Sequence, residues 1–320
     1  MTTLYLVLPC YNEEEMLPIS VPLLKDKLYS LIKANRISDK SRILFVNDGS
    51  RDKTWEILKA LHEEDGHISC VNLSRNRGQQ YALLAGMNTA VQFADAIITM
   101  DVDLQDDIGA IDGMLEKYEK EGCEVVYGVR SSRKEDGILQ RINSGAFYKV
   151  VKKMGADVVS NHAEYRLMSK RAVLALEEYK ETHLFLRGLV PMVGFKSGVV
   201  YYKREKRAAG KSHYPLKKLL ALAYEAITSL TLTPIKLIKR LGIALSVLGF
   251  AGIVATVVLF CLGITGSEWI ILSSVFAVGG LVQLSVGIVG DYAGRAYMES
   301  KRRPQYFIDE ILNDSGSTDE

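Results

Sequence analysis

The sequence predicts an α/β protein with a mostly parallel sheet, followed by a pair of membrane-spanning helices. In the first half of the 320-residue chain, short β-branched runs alternate with amphipathic stretches, which is the pattern of βα units around a parallel sheet. Near the C-terminus, two long apolar runs contain no charged side chain. Each run is long enough to cross a bilayer as a helix, which needs about 20 apolar residues.

Five strands are predicted in the first half, over residues 4–8, 43–46, 69–73, 97–100 and 124–127. Polar residues follow each of them, and in an open parallel sheet the ligand crevice lies beyond the carboxyl ends of the strands. The polar clusters are therefore expected to converge on one site. Helices are predicted between the strands, and Asp52 is a candidate N-cap for a helix that carries Trp55, Leu58 and Leu61 on one face.

The two uncharged runs cover residues 241–267 and 269–290 and are predicted to form a helical hairpin. Lysine and arginine lie outside both ends of the hairpin, so both chain ends are predicted to be cytoplasmic at the cell membrane. A hairpin buried in a soluble protein is the weaker interpretation, because the outer flanks are basic. Residues 214–240 carry apolar side chains at helical spacing, which fits either an interfacial helix or an ordinary surface helix.

These segments divide the chain into a cytoplasmic α/β domain over 1–213, an amphipathic region over 214–240, two spans over 241–291 and a cytoplasmic tail over 292–320. After Arg303 the tail loses its apolar character and is predicted to be disordered. The net charge of +2 indicates no nucleic-acid partner. The four cysteines form no short pair for zinc or redox chemistry, and the N-terminus lacks the basic stretch of a secretory signal peptide.

Two carboxylates, Asp101 and Asp103, follow the fourth predicted strand with one residue between them. At strand spacing their side chains point the same way, and hard oxygen ligands of this kind suit Mg²⁺ or Mn²⁺. Such a pair also occurs as a simple strand end, so its meaning depends on the other motifs.

The polar clusters occur in this order: Pro9-Cys10-Tyr11-Asn12-Glu13, Asp48-Gly49-Ser50-Arg51-Asp52, Arg75-Asn76-Arg77-Gly78 and Asp101-Val102-Asp103-Leu104-Gln105. Together they resemble family 2 glycosyltransferases, and more narrowly the branch that contains dolichol-phosphate mannose synthase and bacterial undecaprenyl-phosphate glucosyl- and N-acetylglucosaminyltransferases. The resemblance implies a GT-A fold in which Asp101, Asp103 and Gln105 hold Mg²⁺ or Mn²⁺. It also implies that the nucleotide is bound by Pro9, Tyr11, Asn12, Glu13, Asp48 and Asp101.

Arginines after the fifth strand are candidates for phosphate binding, because a guanidinium binds phosphate bidentately. The resemblance matches Arg130 and Arg141 to basic positions that handle the donor or acceptor phosphates, and Arg133 and Ser144 lie near them in the sequence. A solvated basic helix face remains the alternative. Residues 207–214 resemble the family's mobile segment, which implies that its polar side chains close over the phosphates: Arg207, Lys211, Ser212 and Tyr214.

Glu164 lies in Ala163-Glu164-Tyr165-Arg166-Leu167, where close relatives carry a Gly-Asp-Phe-Arg-Leu type of sequence. The resemblance implies that Glu164 is a catalytic base or orients the acceptor, with Asp103 and Arg130 as the other catalytic residues. Asp157 and His162 remain alternatives to it. A phosphate monoester has a second pKa of about 6 and is mostly dianionic at neutral pH, so the nucleophile hardly needs a base.

The resemblance implies an inverting transfer of one hexose from a UDP-sugar to a polyprenyl (undecaprenyl) phosphate at the cytoplasmic membrane face, for modification of a cell-envelope glycan. The sequence over 160–164 favours N-acetylglucosamine over glucose. A homo-oligomer, such as a tetramer, is compatible with a hairpin anchor.

Three other functions are less compatible with the sequence. A processive polysaccharide synthase would normally carry a Q-x-x-R-W signature and more spans, and a sugar nucleotidyltransferase would need a Gly-rich loop after the first strand. The chain has neither feature. A catalytically inactive membrane adaptor would keep the fold but would have no reason to retain the whole set Asp101, Asp103, Gln105, Arg130 and Glu164.

Overall fold

A computed structural model of the chain describes residues 1–131, 162–180, 185–203 and 268–313. The described strands are β1 (Leu4–Cys10), β2 (Arg42–Asn47), β3 (Ile68–Leu73), β4 (Ala96–Thr99), β5 (Val125–Arg130), β6 (His162–Ser169), β7 (Ser197–Tyr202) and β8 (Ile308–Leu312). The described helices are α1 (Leu17–Lys33), α2 (Thr54–Glu64), α3 (Gln79–Ala90), α4 (Ala110–Glu121), α5 (Lys170–Glu177), α6 (Leu186–Met192) and α7 (Glu268–Ser300).

The eight strands form one mixed sheet in the order β7-β5-β6-β4-β1-β2-β3-β8. Strands β1 to β3 pair in parallel, β4 pairs in parallel with β1, and β7 pairs in parallel with β5. Strand β6 runs antiparallel between β4 and β5, and β8 runs antiparallel along β3. The carboxyl ends of β1 to β5 and of β7 therefore share one edge with the first residues of β6 and β8. We call it the carboxyl edge.

Two apolar layers cover the faces of the sheet. Alternate residues of β1 point to opposite faces: Leu4, Leu6 and Leu8 pack with α1, α2 and α4, whereas Tyr5 and Val7 pack with α3, α5 and α6. Helices on both faces explain why the parallel strands consist of nearly continuous apolar residues. The core therefore fixes the positions of the strands, and with them the positions of the polar loops at the strand ends.

All five strands predicted in the first half are confirmed, with boundaries that differ by a few residues at most. Helix α2 also presents the predicted face, because Leu58 is buried and Trp55 and Leu61 pack against the core. The predicted N-cap is wrong by one residue, since Lys53 occupies that position. Asp52 still stabilises the helix start, because its carboxylate accepts the Thr54 N–H at 3.1 Å.

The predicted disorder of the tail is wrong for residues 304–313. Residues of β8 alternate between half-buried and exposed, and Ile308 and Leu312 pack against the core. This short, polar run is stabilised as an edge strand through its backbone pairing with β3. Residues 314–320 lie outside the described residues.

The second predicted membrane span falls within α7, whereas the first span and the amphipathic region lie outside the described residues. In the part of the chain that the structure describes, no helix combines the length and the apolar character needed to cross a bilayer. The hairpin, the four-part division and the orientation stay predictions.

Candidate functional site

The loops after β1 and β2 are hydrogen-bonded to each other at the carboxyl edge. The Asn12 side-chain oxygen accepts the Arg51 N–H at 2.9 Å, and the Asn12 N–H donates to Ser50 Oγ at 3.0 Å. Asn12 has a left-handed φ of 54°, which asparagine tolerates. The Glu13 N–H donates to Thr54 Oγ1 at 2.9 Å. The predicted nucleotide-binding residues of these two loops are therefore brought together.

Pro9 and Tyr11 flank this junction. Pro9 lies within β1 opposite Val46, and the Tyr11 side chain is 43% exposed just beyond the strand. An exposed ring at the edge of a cleft offers a flat surface on which a nucleobase could stack.

Asp48 is buried and holds the loop between β3 and α3. One carboxylate oxygen accepts the Arg77 N–H at 2.7 Å, and the other accepts the Gly78 N–H at 2.8 Å. Burial raises the pKa of Asp48 above its ordinary value, and the two N–H donors oppose that rise. The resemblance placed Asp48 at the nucleoside, whereas the described contacts engage both of its oxygens with the protein backbone.

Gly49 allows the same loop to approach closely. Its φ is +62°, and a Cβ built on it would lie 2.5 Å from the Asn76 backbone nitrogen and 2.6 Å from the Arg75 carbonyl carbon. Neither backbone atom can move aside cheaply. Only glycine fits where the two loops meet.

Asp101 and Asp103 follow β4, as predicted, at the centre of the carboxyl edge. Asp101 Oδ1 accepts a hydrogen bond from Gln79 Nε2 at 2.6 Å, and Asp103 Oδ1 accepts the Gln105 N–H at 3.2 Å. Leu104, which lies between Asp103 and Gln105, has φ +52°, so the chain turns sharply at this residue. Burial, followed by the charges of Asp106 and Asp103, raises the pKa of Asp101 to about 7.

This pair fits a divalent cation that also binds a diphosphate. The described residues contain no group of three or more His, Cys, Asp or Glu side chains placed to hold a metal. Mg²⁺ commonly takes only one or two carboxylates and completes its octahedron with substrate phosphates and water. Besides burial, the charges of Asp106 and Asp103 raise the pKa of Asp101, and a divalent cation held by Asp101 and Asp103 would relieve that repulsion.

Arg130 ends β5 beside a second buried carboxylate. Asp106 accepts a hydrogen bond from the Tyr202 hydroxyl at 2.5 Å and pairs with Arg130 Nη2 at 3.4 Å. Burial alone would lower the pKa of Arg130, but the charge of Asp106 and the Tyr202 hydroxyl raise it above its ordinary value. The guanidinium is thus fixed in its charged form at the carboxyl edge.

Glu164 lies near the start of β6, and its side chain is 3% exposed. Its Oε1 accepts from Arg187 Nε at 2.8 Å and from Gln80 Nε2 at 2.9 Å, and its other oxygen pairs with the buried Arg166. Burial and the neighbouring charge of Arg187 lower the pKa of Arg166 to about 10. A carboxylate that accepts from two guanidiniums and an amide is suited to orienting them rather than to taking up a proton.

Several residues of this site were not predicted from the sequence. Gln79 and Gln80 directly follow the Arg75–Gly78 motif, and Asp106 directly follows Gln105. Because they lie next to these motifs, the three residues could have been predicted. Arg187 lies in His183-Leu184-Phe185-Leu186-Arg187-Gly188, which resembles the family's acceptor loop but does not indicate Glu164 as the partner of Arg187. Tyr202 carried no signal at all, because nothing local indicates that β7 pairs with β5.

Eight residues of the predicted site lie outside the described residues: Arg133, Arg141, Ser144, Asp157, Arg207, Lys211, Ser212 and Tyr214. His162 begins β6, opposite Val129 of β5. The described part of the site therefore comprises the predicted nucleotide and metal residues, together with Arg130 and Glu164.

Comparison with known proteins gives the family. The profile of glycosyl transferase family 2 matches residues 5–176. The uncharacterized glycosyltransferase YkoT of Bacillus subtilis is 43% identical over 307 residues, covering 96% of this chain and 91% of that protein. The prophage bactoprenol glucosyl transferase homolog of Escherichia coli is 34% identical over 310 residues, covering 96% of this chain and 98% of that protein.

Among solved structures, glucosyl-3-phosphoglycerate synthase from Mycobacterium tuberculosis, in complex with Mn²⁺, UDP-glucose and phosphoglyceric acid, superposes with a TM-score of 0.48 at 16% identity. That match covers 72% of this chain and 78% of the other. The profile extends over more than half of the chain, and the relatives align over nearly all of it. The chain therefore belongs to glycosyl transferase family 2.

Proposed function

We propose that the protein transfers one hexose from a UDP-sugar to a polyprenyl phosphate at the cytoplasmic face of the cell membrane. The observation that carries the proposal is the position of Asp101 and Asp103 at the same edge as the joined loops of Asn12 and Asp48. Because the chain belongs to glycosyl transferase family 2, glycosyl transfer is the reaction expected at that edge. The full-length similarity to proteins named bactoprenol glucosyl transferase supports a polyprenyl acceptor.

The donor would lie across the carboxyl edge. Tyr11, Asn12 and Glu13 line the side where the nucleoside would bind, and Asp101 and Asp103 face the diphosphate. A bound Mg²⁺ or Mn²⁺ would neutralise the charge that develops on the departing diphosphate. Asp101 must be ionised to serve as a ligand, so its pKa of about 7 couples donor binding to pH.

The acceptor phosphate supplies its own nucleophile. One phosphate oxygen attacks the anomeric carbon, and the bond from that carbon to the diphosphate oxygen breaks in the same displacement, which inverts the configuration. The phosphate is mostly dianionic at neutral pH, so no proton has to be removed first. This agrees with a Glu164 that holds two guanidiniums rather than a proton.

The ion pair with Glu164 fixes the position of the Arg187 side chain. The Arg187 side chain is 38% exposed and uses Nε for Glu164, while its charge partly opposes the rise in the pKa of Asp101. The parallel N–H groups of a guanidinium bind phosphate bidentately. Glu164 is therefore proposed as the residue that orients Arg187 towards the donor or acceptor phosphate.

The predicted membrane hairpin supports a lipid as the acceptor. A domain held at the bilayer meets a lipid phosphate at high effective concentration. Names of relatives such as the bactoprenol glucosyl transferase of Shigella phage SfV, 34% identical over 307 residues, favour glucose as the sugar. The sequence over 160–164 favoured N-acetylglucosamine, so the donor is to be chosen by experiment between these two UDP-sugars.

The test uses membranes that contain the full-length protein, polyprenyl phosphate, Mn²⁺ or Mg²⁺, and radiolabelled UDP-glucose or UDP-N-acetylglucosamine. One label should enter the lipid phase, and Asp103→Asn should reduce that labelling at least about 100-fold by removing a metal ligand. Asp26→Asn, an exposed change on α1, is the matched control and should transfer normally.

Each rival function has its own outcome in this assay. Label in a water-soluble polymer would indicate a processive synthase, and the absence of UDP release with any donor would indicate an inactive adaptor. Normal transfer by Asp103→Asn would contradict the assigned metal site.

A further inference from the structure

The segment just before β8 contacts the loop that precedes α3. Arg77 Nε donates to the backbone carbonyl of Gln305 at 2.7 Å, and the Ser74 N–H donates to the carbonyl of Phe307 at 3.0 Å. We call residues 74–78 the α3 entry loop. Two residues of the tail thus hold both ends of this loop, although more than 200 positions separate them from it in the sequence.

The α3 entry loop also holds the proposed donor site. The N–H groups of Arg77 and Gly78 donate to the buried Asp48, and Gln79, which begins α3, donates to Asp101. The loop is confined on its other side by Gly49. A small displacement of Arg77 would therefore move donors and acceptors on the nucleotide side of the site.

Strand β8 is itself firmly anchored, so it can act as a fixed support. Lys59 pairs with Glu310 at 2.8 Å, Asn88 donates to the Tyr306 hydroxyl at 3.0 Å, and Ser69 donates to the Asn313 side chain at 2.9 Å. None of these three contacts involves the α3 entry loop. They attach β8 and the residues on either side of it to α2, α3 and β3 at other points.

We propose that Arg77 is a positioning residue for the donor site, and that the docked C-terminal segment holds it in place through the carbonyl of Gln305. The identity of the donor rests on the proposed function. Arg77 acts through its backbone and the start of α3, without touching the sugar or the acceptor. The contact should therefore affect the donor more than the lipid, because Asp48 and Asp101 belong to the nucleotide and metal side.

A purely structural role for β8 makes a different prediction. If the strand only covers the exposed edge of β3, every contact that anchors it should matter equally, and loss of any of them should affect stability without separating the two substrates. The Lys59–Glu310 pair provides the comparison, since it anchors the same strand far from the α3 entry loop.

The experiment compares Arg77→Gln with Lys59→Gln in the full-length protein. Arg77→Gln should raise the KM for the UDP-sugar about tenfold, the size expected when one charge-assisted hydrogen bond is lost. The KM for polyprenyl phosphate should stay within about twofold of the wild type on the same reasoning, because no acceptor contact changes. Lys59→Gln should change neither KM. Hydrogen exchange of the Gly78 amide should accelerate in Arg77→Gln alone.

Equal donor KM values in the two variants, or equal rises in both KM values for Arg77→Gln, would overturn the proposal. If Arg77→Gln does not fold, Arg77→Met, which removes the guanidinium over the Tyr81 ring but keeps an unbranched side chain, repeats the comparison. If the wild type transfers no sugar, the proposed function fails separately. Calorimetric titration with UDP and Mn²⁺ then still decides the positioning role, which requires weaker UDP binding by the Arg77 variant than by Lys59→Gln.

Discussion

Asp101→Asn should make the metal-free protein more stable at pH 8 while it abolishes activity. Burial and the charges of Asp106 and Asp103 raise the pKa of Asp101 from its ordinary 3.8 to about 7. That rise corresponds to about 4 kcal/mol of unfavourable free energy for the ionised group in the folded protein. Asparagine removes the charge and keeps the oxygen that accepts from Gln79. The substitution should therefore recover up to about 4 kcal/mol.

The gain in unfolding free energy from Asp101→Asn should be larger at high pH than at low pH. Above about pH 7 Asp101 is ionised in both the folded and the unfolded chain, so the wild type bears the whole cost. As the pH falls from 7 towards 3.8, the folded protein binds a proton that the unfolded chain does not, and the cost shrinks. At pH 5.5 about 2 kcal/mol should remain, and below 3.8 the gain should vanish.

The assay is urea unfolding of the full-length protein in detergent and EDTA, at pH 8 and pH 5.5. Trp55 packs against the core and reports the unfolding of the sheet, in a Trp269→Phe background that removes the second tryptophan. Asp26→Asn is the control for loss of an exposed carboxylate. An unchanged midpoint for Asp101→Asn at pH 8, or a gain of the same size at both pH values, would refute the reasoning.

Two further substitutions probe the buried contacts. Glu164→Gln should lower the free energy of unfolding by about 3 kcal/mol, because Arg166 loses its buried counter-charge. In urea unfolding, Glu116→Gln on the surface should stay close to the wild type, and equal losses would contradict a buried ion pair. Gly49→Ala should cost at least about 1 kcal/mol, since alanine is strained at φ +62° and its Cβ meets Asn76. Thermal unfolding should show no comparable loss for Gly66→Ala, which has open space, and a tolerated Gly49→Ala would disprove the close approach.

The central strands and the central part of the site could be predicted because their signals are local. Continuous apolar runs followed by polar residues predicted β1 to β5, and the parallel order then required Asn12, Asp48 and Asp101 to meet at one edge. No distance was needed for that conclusion. The rule that ligands bind at the carboxyl ends of parallel strands was sufficient.

Strands β6 and β8 could not be predicted because their partners are distant in the sequence. Strand β8 consists of five residues, and only its pairing with β3 distinguishes it from a polar tail. Strand β6 enters antiparallel between β4 and β5, which no local pattern indicates, and it is this strand that delivers Glu164 to Arg187. The functional contacts that were missed are consequently those between side chains from non-neighbouring segments.

The topology also connects the proposed anchor to the site. Strand β7 ends at Tyr202, opposite Arg130, and β8 begins at Ile308, opposite Leu73, so the chain leaves and re-enters the sheet at the carboxyl edge. These two strands are the outermost ones of the sheet. The eight Cα–Cα steps from Ser300, which ends α7, to Ile308 can span at most about 28 Å.

A segment that anchors the protein through residues 204–300 would therefore be attached at both ends of the edge that carries Asp101. Attachment at two separated points restricts rotation of the domain more than a single linker does. It would keep the cleft directed at the bilayer, where a phosphate on a lipid can reach it and a soluble sugar has no advantage.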